Sequence, residues 1–294
     1  MSFVWSLVAV TKDYILDTAL LTKIAALPKK QRTAAMKTIG QWEWDRCAKD
    51  LLYWVDKTRH PACAYVHTHD PHPLYSCLVC GNEAAYKFNQ RKAHLKVAHE
   101  IESSTAGETA QLFKELPTIR EFTIKPYIPP IFNVLSEEQF VFIEKSRDMI
   151  ATWTTITWYT WDSLFHQGRQ NIFQSEDAMK TLDLVKRAFL IYKHQPKFLK
   201  DVHKAVFSMG NAKSGQLVVP DLNSEILGFP QGADQIRQYH PTGVFADEAA
   251  YQSSAGASFA AIKPAIEAGG RYTAVSSANP GWFMRAVRDD LEQG

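Results

Sequence analysis

Residues 140–153 read FVFIEKSRDMIATW. An apolar run from Phe140 to Ile143 gives way to charge at Glu144, Lys145, Arg147 and Asp148, and a helix-length pattern then runs from Thr152 to Phe165. Strand, short polar loop and helix, in that order, is how a phosphate-binding loop is built: backbone amides wrap the phosphates, a lysine reaches the β and γ oxygens, and a hydroxyl holds magnesium. The ordinary spacing is G-x-x-x-x-G-K-[ST]. Aligned on Thr152, this stretch has Lys145 at the first glycine, Ile150 at the second and Ala151 at the lysine. Read on the residues alone, Lys145 and Arg147 are surface charges at a strand end, the commoner fate of such residues.

Outward from this stretch, strand and helix patterns alternate. A strand is expected at Asn171 to Gln174, a helix through about Tyr192, and further strands at Leu217–Val219, Ser224–Phe229, Thr242–Ala246 and Tyr272–Ser276, with Gly269 and Gly270 as the turn before the last. Such alternation implies a doubly wound α/β core with a parallel sheet. The strand ending in PTGVFADEAAY delivers Asp247 and Glu248 at its C-terminal end. Two adjacent acids there suit ATP hydrolysis, the first holding the magnesium shell and the second orienting and deprotonating the attacking water. An Asp-Glu pair is also a common solvated strand end. The next element, YTAVSSANPGWF, offers Ser276, Ser277 and Asn279, residue types that equally make turns.

Upstream, Cys77, Cys80, His94 and His99 give C-x2-C-x13-H-x4-H. A tight Cys-x-x-Cys turn and two histidines one helical turn apart deliver the four-ligand tetrahedron that Zn2+ prefers. The run QRKAHLKVAH is expected to be helical, with Gln90, Arg91, Lys92 and Lys96 on its polar face and Tyr86 and Phe88 as a small apolar core. His67, His69 and His72 are alternative ligands. A structural or protein-contact role fits a lone finger better than base reading.

Composition limits the rest. The chain has 294 residues, 46% hydrophobic and 22% charged, which fits a globular protein and excludes wholesale disorder. A formal charge of +2 leaves no electrostatic footprint for nucleic acid, so any DNA handling must rest on motifs. No apolar run approaches the ~20 residues that span a bilayer, and the start lacks a signal-peptide pattern. An intracellular setting without membrane partners is expected. Four cysteines, two of them paired with histidines, suit a reducing compartment better than a disulfide framework.

KSRDMIATW resembles the deviant Walker A of the terminase large subunits of viral DNA packaging, in which the basic residue often stands at the front of the loop and a pattern near K-S-R-x-M-x-x-[ST]-W recurs. NIFQSEDAMKTLDLVKRA, GFPQGADQIRQYHPTG, the acid pair and YTAVSSANPGWF are similar to that family's later elements in the same order, from about residue 115 to the end. The resemblance implies a P-loop NTPase fold of the ASCE (RecA-like) class, a mostly parallel sheet with helices on both faces. It assigns Lys145, Ser146, Arg147, Asp148, Met149, Ile150, Ala151 and Thr152 to the nucleotide, with Lys145 and Arg147 on phosphates, Arg147 also catalytic, and Thr152 and Asp247 on Mg2+. It further makes Glu248 the catalytic base, Ser276, Ser277 and Asn279 the γ-phosphate-sensing coupling motif and IKPYIPPIF an adenine-contacting segment, and it leaves Arg237 two equal readings, an arginine finger for its own or a neighbouring site and a structural salt bridge.

The expected layout is an N-terminal helical region at 1–70, a zinc-finger-like segment at 71–105, a linker through IESSTAGETAQ, and the ATPase core at 115–294. A full family member continues into an RNase H-like nuclease. This sequence ends at Gly294, so ATPase activity without DNA cleavage is expected. The implied function is an ATP-driven motor subunit that moves double-stranded DNA into a capsid. Its implied partners are the portal protein, the small terminase subunit and further copies in a ring, in the host cytoplasm and transiently docked on the procapsid. The competing reading is a catalytically inactive P-loop scaffold with a zinc-finger role in binding DNA or protein, which the absence of a lysine at Ala151 keeps open.

Overall fold

The computed structural model describes residues 16, 18–56, 65–69, 75–84, 88–102, 105–146, 149–209, 214–232, 236 and 238–293. These fall into two units, one of Met1–Val66 with Phe122–Gly294 and a smaller one of His67–Glu121.

The larger unit begins with helices α1 (Thr18–Ala25), α2 (Lys29–Lys49) and α3 (Leu51–Val55). They pack into the same core as the sheet that follows. Trp54 and Ile39 are buried with residues of the later helices, the Trp161 indole donates to the Cys47 carbonyl, and the Trp44 indole donates to that of Leu164. The fully buried Glu43 accepts from the hydroxyls of Tyr53 and Tyr65 at 2.6 and 3.0 Å, which satisfies its carboxylate out of water.

The smaller unit holds β1 (His67–His69), β2 (Tyr75–Cys77), β3 (Glu83–Ala84), α4 (Phe88–His99), α5 (Ala106–Gln111), β4 (Phe113–Glu115) and β5 (Ile119–Glu121). β1 pairs antiparallel with β5, and β2 lies between β3 and β4. Among the described residues its buried core is Cys77, Leu95 and Phe113. Tyr86 and the Phe88 side chain lie outside the described residues. Phe113 comes from β4, beyond the expected end of the finger at 105. The expected linker carries a helix instead: the Thr105 hydroxyl accepts from Glu108 N and the Glu108 carboxylate accepts from Thr105 N, a capping box that starts α5. Ser, Thr, Gly and Glu in that stretch read as polar punctuation because capping residues and loop residues are the same types.

The larger unit resumes with α6 (Ile128–Glu137), β6 (Phe140–Glu144), α7 (Ala151–Phe165), β7 (Gln170–Ser175), α8 (Ala178–Lys193), α9 (Lys197–Lys200), β8 (Val206–Ser208), β9 (Gln216–Val219), β10 (Ser224–Pro230), β11 (Gly243–Asp247), α10 (Ala255–Glu267), β12 (Arg271–Ser276) and α11 (Trp282–Gln293). Seven strands form one sheet in the order β6-β12-β11-β7-β10-β9-β8. The first five run parallel, and β9 and β8 add an antiparallel edge.

Successive strand side chains point to opposite faces, and both faces are covered. Val141, Phe173, Phe245 and Val275 enter one core with Ile156 and Tyr159 of α7 and Val185 and Ala188 of α8. Their neighbours Phe140, Phe142, Ile172, Val244, Ala246 and Ala274 enter the other with Ile262 and Ile266 of α10 and Phe283 of α11. The chain moves from β6 through α7 to β7 on one side and from β11 through α10 back to β12 on the other. The crevice left where these directions part, at the C-terminal strand ends, is where open α/β sheets bind ligands.

Candidate active site and metal centre

Strand register sets the site. Ser276 lies opposite Glu144, and Asp247 opposite Val275, so the next residues Lys145, Ser277 and Glu248 emerge together from three neighbouring strands. The Lys145 Nζ donates to Glu248 Oε1 at 2.8 Å and lies 3.4 Å from Ser277 Oγ. Ser276 Oγ, fully buried, donates to Glu248 Oε2 at 3.3 Å and accepts from Ala250 N, while Asn279 Nδ2 donates to the Ala250 carbonyl. Both Glu248 oxygens are thus engaged, one by a cation and one by a hydroxyl.

The loop returns to the same place. Thr152 Oγ1, in the first turn of α7, donates to Asp247 Oδ1 at 2.8 Å across 95 residues of sequence. Burial pushes the Asp247 carboxyl up to about 6; the bond from Thr152 opposes this, the Glu248 charge adds to it, and Arg187 and Lys145 oppose it. Ile150, just before α7, has φ 45° and ψ 21°, the left-handed region that a β-branched side chain avoids. This is the position aligned with the second glycine of the ordinary loop, so the backbone there keeps a glycine-type conformation with an isoleucine in it. Glu248 is also left-handed, at φ 50°. Two such residues, one in the loop and one after the acid-bearing strand, mark a backbone held by its surroundings.

Of the other loop residues, Ala151 is buried, Ser146 and Met149 are exposed, and Arg147 and Asp148 lie outside the described residues. Arg237 lies outside them too. The upstream segment IKPYIPPIF reaches the loop, the Tyr127 hydroxyl donating to the Met149 carbonyl at 3.3 Å.

Two neighbours of the site were not singled out from the sequence. Gln252 Nε2 donates to the Asp247 carbonyl at 2.8 Å, and Arg187 of α8 lines a cleft with Asp247 and Glu248. Gln252 follows the acid pair by a few residues, a cue a reader could have weighed. Arg187 sits in a helix 60 residues before the acids, with no spacing signal, and only the parallel pairing of β7 with β11 brings its helix alongside.

In the smaller unit Cys77, Cys80, His94 and His99 converge, their ligand atoms all within 4.8 Å of one another. Cys77 Sγ lies 3.5 Å from His99 Nε2, and Cys80 Sγ 3.4 Å from His94 Nε2. Metal–ligand lengths of ~2.3 Å to sulfur and ~2.05 Å to nitrogen give a tetrahedral S···N edge of ~3.6 Å. The donor set and spacing therefore fit Zn2+. His67 and His69 lie on β1 outside this group, and His72 is not among the described residues.

No helix among the described residues is long and apolar enough to cross a membrane. No protein-family model matches the chain, and no curated protein matches it. Among solved structures it is similar to the large terminase of bacteriophage HK97, at 13% identity and a TM-score of 0.47 over 59% of this chain and 38% of that one. It is also similar to a mutant ATPase domain of the Thermus phage P74-26 large terminase, at 13% identity and a TM-score of 0.41 over 55% of this chain and 68% of that one. A third is the large terminase of a thermophilic bacteriophage in complex with ADP, at 11% identity and a TM-score of 0.40 over 58% of this chain and 43% of that one. The chain is thus similar to phage large terminases, and the match takes in well under half of the HK97 protein's length.

Proposed function

We propose that the chain is an ATP-hydrolysing P-loop unit of the viral DNA-packaging terminase type, with Mg2+ held by Thr152 and Asp247 and Zn2+ held in the smaller unit. One observation carries the reading: the Thr152 hydroxyl and the Asp247 carboxylate, from the loop and the acid-bearing strand, lie 2.8 Å apart. Two cis ligands of an octahedral magnesium at ~2.05 Å are ~2.9 Å apart, so the pair already has the spacing the ion needs. When bound, Mg2+ neutralises charge on the β and γ phosphate oxygens.

The residues supply the rest. The N-terminus of α7 presents unpaired backbone N–H groups towards the phosphates, as helix N-termini do for anions. Lys145 leaves Glu248 for the phosphate oxygens, a stronger and more highly charged partner. Glu248, released on one oxygen, accepts a proton from the attacking water; the water oxygen bonds to the γ phosphorus, and the bond to the β–γ bridging oxygen breaks, leaving ADP. Ser276, bonded to both Glu248 and Ala250 N, registers the change at the acid, and Asn279 carries it towards α11. In the full reading Arg147 assists at the phosphates and Arg237 acts as an arginine finger. Several copies then work as a ring with the portal protein and the small subunit to move double-stranded DNA, in the host cytoplasm at the procapsid.

The test is magnesium-dependent ATP hydrolysis by the zinc-loaded chain beside Glu248→Gln. Turnover should fall by roughly a hundredfold or more in the variant while ATP binding persists, since only the proton acceptor is lost. A folded wild-type chain that neither binds nor hydrolyses ATP, with portal and DNA present, would leave the inactive scaffold as the better account.

A further inference from the structure

Beside the acid pair opens a cleft of about 380 Å3 whose walls include Lys180, Asp183 and Arg187 of α8 and whose inner end is Asp247 and Glu248. The two cations differ. Lys180 is half-exposed and turned to Glu176 in an ion pair one helical turn away. Arg187 is held on two sides: Nη2 lies 2.6 Å from Asp183 Oδ2, and the guanidinium carbon sits 5.4 Å from the centre of the Trp153 ring. Trp153 immediately follows Thr152, whose hydroxyl touches Asp247. The guanidinium therefore bridges α8 to the first turn of α7, one residue from the place where loop and acid strand meet. Its charge already acts on Asp247, offsetting part of what burial does to that carboxyl.

We infer that Arg187 is the cleft's terminal-phosphate receptor, the residue by which this site distinguishes a nucleoside triphosphate from a diphosphate. The inference rests on the nucleotide reading above and deepens it. A guanidinium offers five N–H donors in a planar fork that matches phosphate oxygens, and stacking on Trp153 fixes the plane of that fork before ligand arrives. Lysine at the same place would keep charge and lose both the fork and the stack. Because the fork is shared with Asp183, a γ phosphate competes with that carboxylate, and occupancy of the site is transmitted to α8 by the exchange of partners. On this inference a diphosphate, which lacks the γ group, leaves the Arg187–Asp183 pair in place.

The experiment measures binding of magnesium ADP and of a magnesium-loaded non-hydrolysable ATP analogue to wild type, Arg187→Ala, Arg187→Lys and Lys197→Ala, with circular dichroism as the folding control. A charge-assisted hydrogen-bond pair of this kind predicts a loss of ~10–100-fold in analogue affinity for Arg187→Ala. ADP affinity should be nearly unchanged, and Lys197→Ala, at an exposed ion pair with Asp201 outside the cleft, should follow wild type with both ligands. Arg187→Lys, expected to lose about tenfold for the analogue alone, carries the test if the alanine variant fails to fold. Equal losses for both nucleotides, or none, would overturn the role given to Arg187. Wild-type protein that binds neither would overturn the nucleotide reading itself.

Discussion

Ile150 offers a direct probe of the loop. Its φ of 45° lies where an L-residue is disfavoured by roughly 1–2 kcal/mol because Cβ crowds the carbonyl, whereas glycine enters freely. Replacing it with glycine removes that cost and also removes the side chain, which packs half-buried against the core. Replacing it with alanine removes nearly the same packing and keeps the cost. The comparison between Ile150→Gly and Ile150→Ala therefore isolates the backbone. At an ordinary position alanine is more stable than glycine by about 0.4–1 kcal/mol through the unfolded chain. Here the order should reverse, with glycine ahead by up to roughly 1.6 kcal/mol, the left-handed cost less the unfolded-state term. For a chain of 294 residues, with an unfolding entropy of roughly 2.1 cal/mol/K per residue, that is a midpoint difference of up to ~2.5 °C in thermal unfolding, readable by circular dichroism or dye binding. A glycine variant that melts below the alanine variant would mean that the loop does not hold a left-handed residue at Ile150, and the equivalence with the second glycine of a phosphate loop would go with it.

Burial holds the Asp247 carboxyl at about 6, and a protonated carboxyl does not ligate a divalent cation, so magnesium-dependent nucleotide binding should be full at neutral pH and weaken as pH falls through about 6. The sign for the metal-free chain is opposite: ionising a carboxyl whose folded value is raised costs the folded state, so this group's contribution to stability declines as pH rises from about 4 towards 6. Calorimetric titration with magnesium ADP across that range checks the first statement, and a flat profile would refute it. In the smaller unit, Cys80→Ser should abolish stoichiometric zinc and unfold His67–Glu121, because a core of Cys77, Leu95 and Phe113 is too small to offset the ordering of that segment without the metal. Unchanged far-ultraviolet circular dichroism and melting in a zinc-free sample would refute it.

Much of this molecule can be read from residue order because the physics involved is local. Apolar runs of strand length at Phe140–Ile143 and Val244–Ala246, each closed by charge, identify buried parallel strands and the ends that carry chemistry. A Cys-x-x-Cys turn and two histidines a helical turn apart specify a tetrahedral donor set before any fold is known, because the spacing itself holds the ligands together. What the order of residues did not reveal depends on contacts between distant segments. That Glu248 is held by Lys145 and Ser276 follows from β6, β12 and β11 lying side by side in register, and pairing partners in a parallel sheet are not encoded locally. Arg187 looks like any surface residue of an amphipathic helix until α8 is laid beside α7 and its guanidinium meets Trp153. The N-terminal helices read as a separate region, yet they complete the core through Trp54, whose indole donates to Gln195, and Cys47, whose carbonyl accepts from Trp161 of α7, since an apolar face announces that it will be buried and says nothing of its partner. Sequence alone determined which segments form the strands and which candidate side chains stand at their ends; tertiary structure alone decided which of those side chains meet, because charge pairing and burial act through space, whatever the distance along the chain.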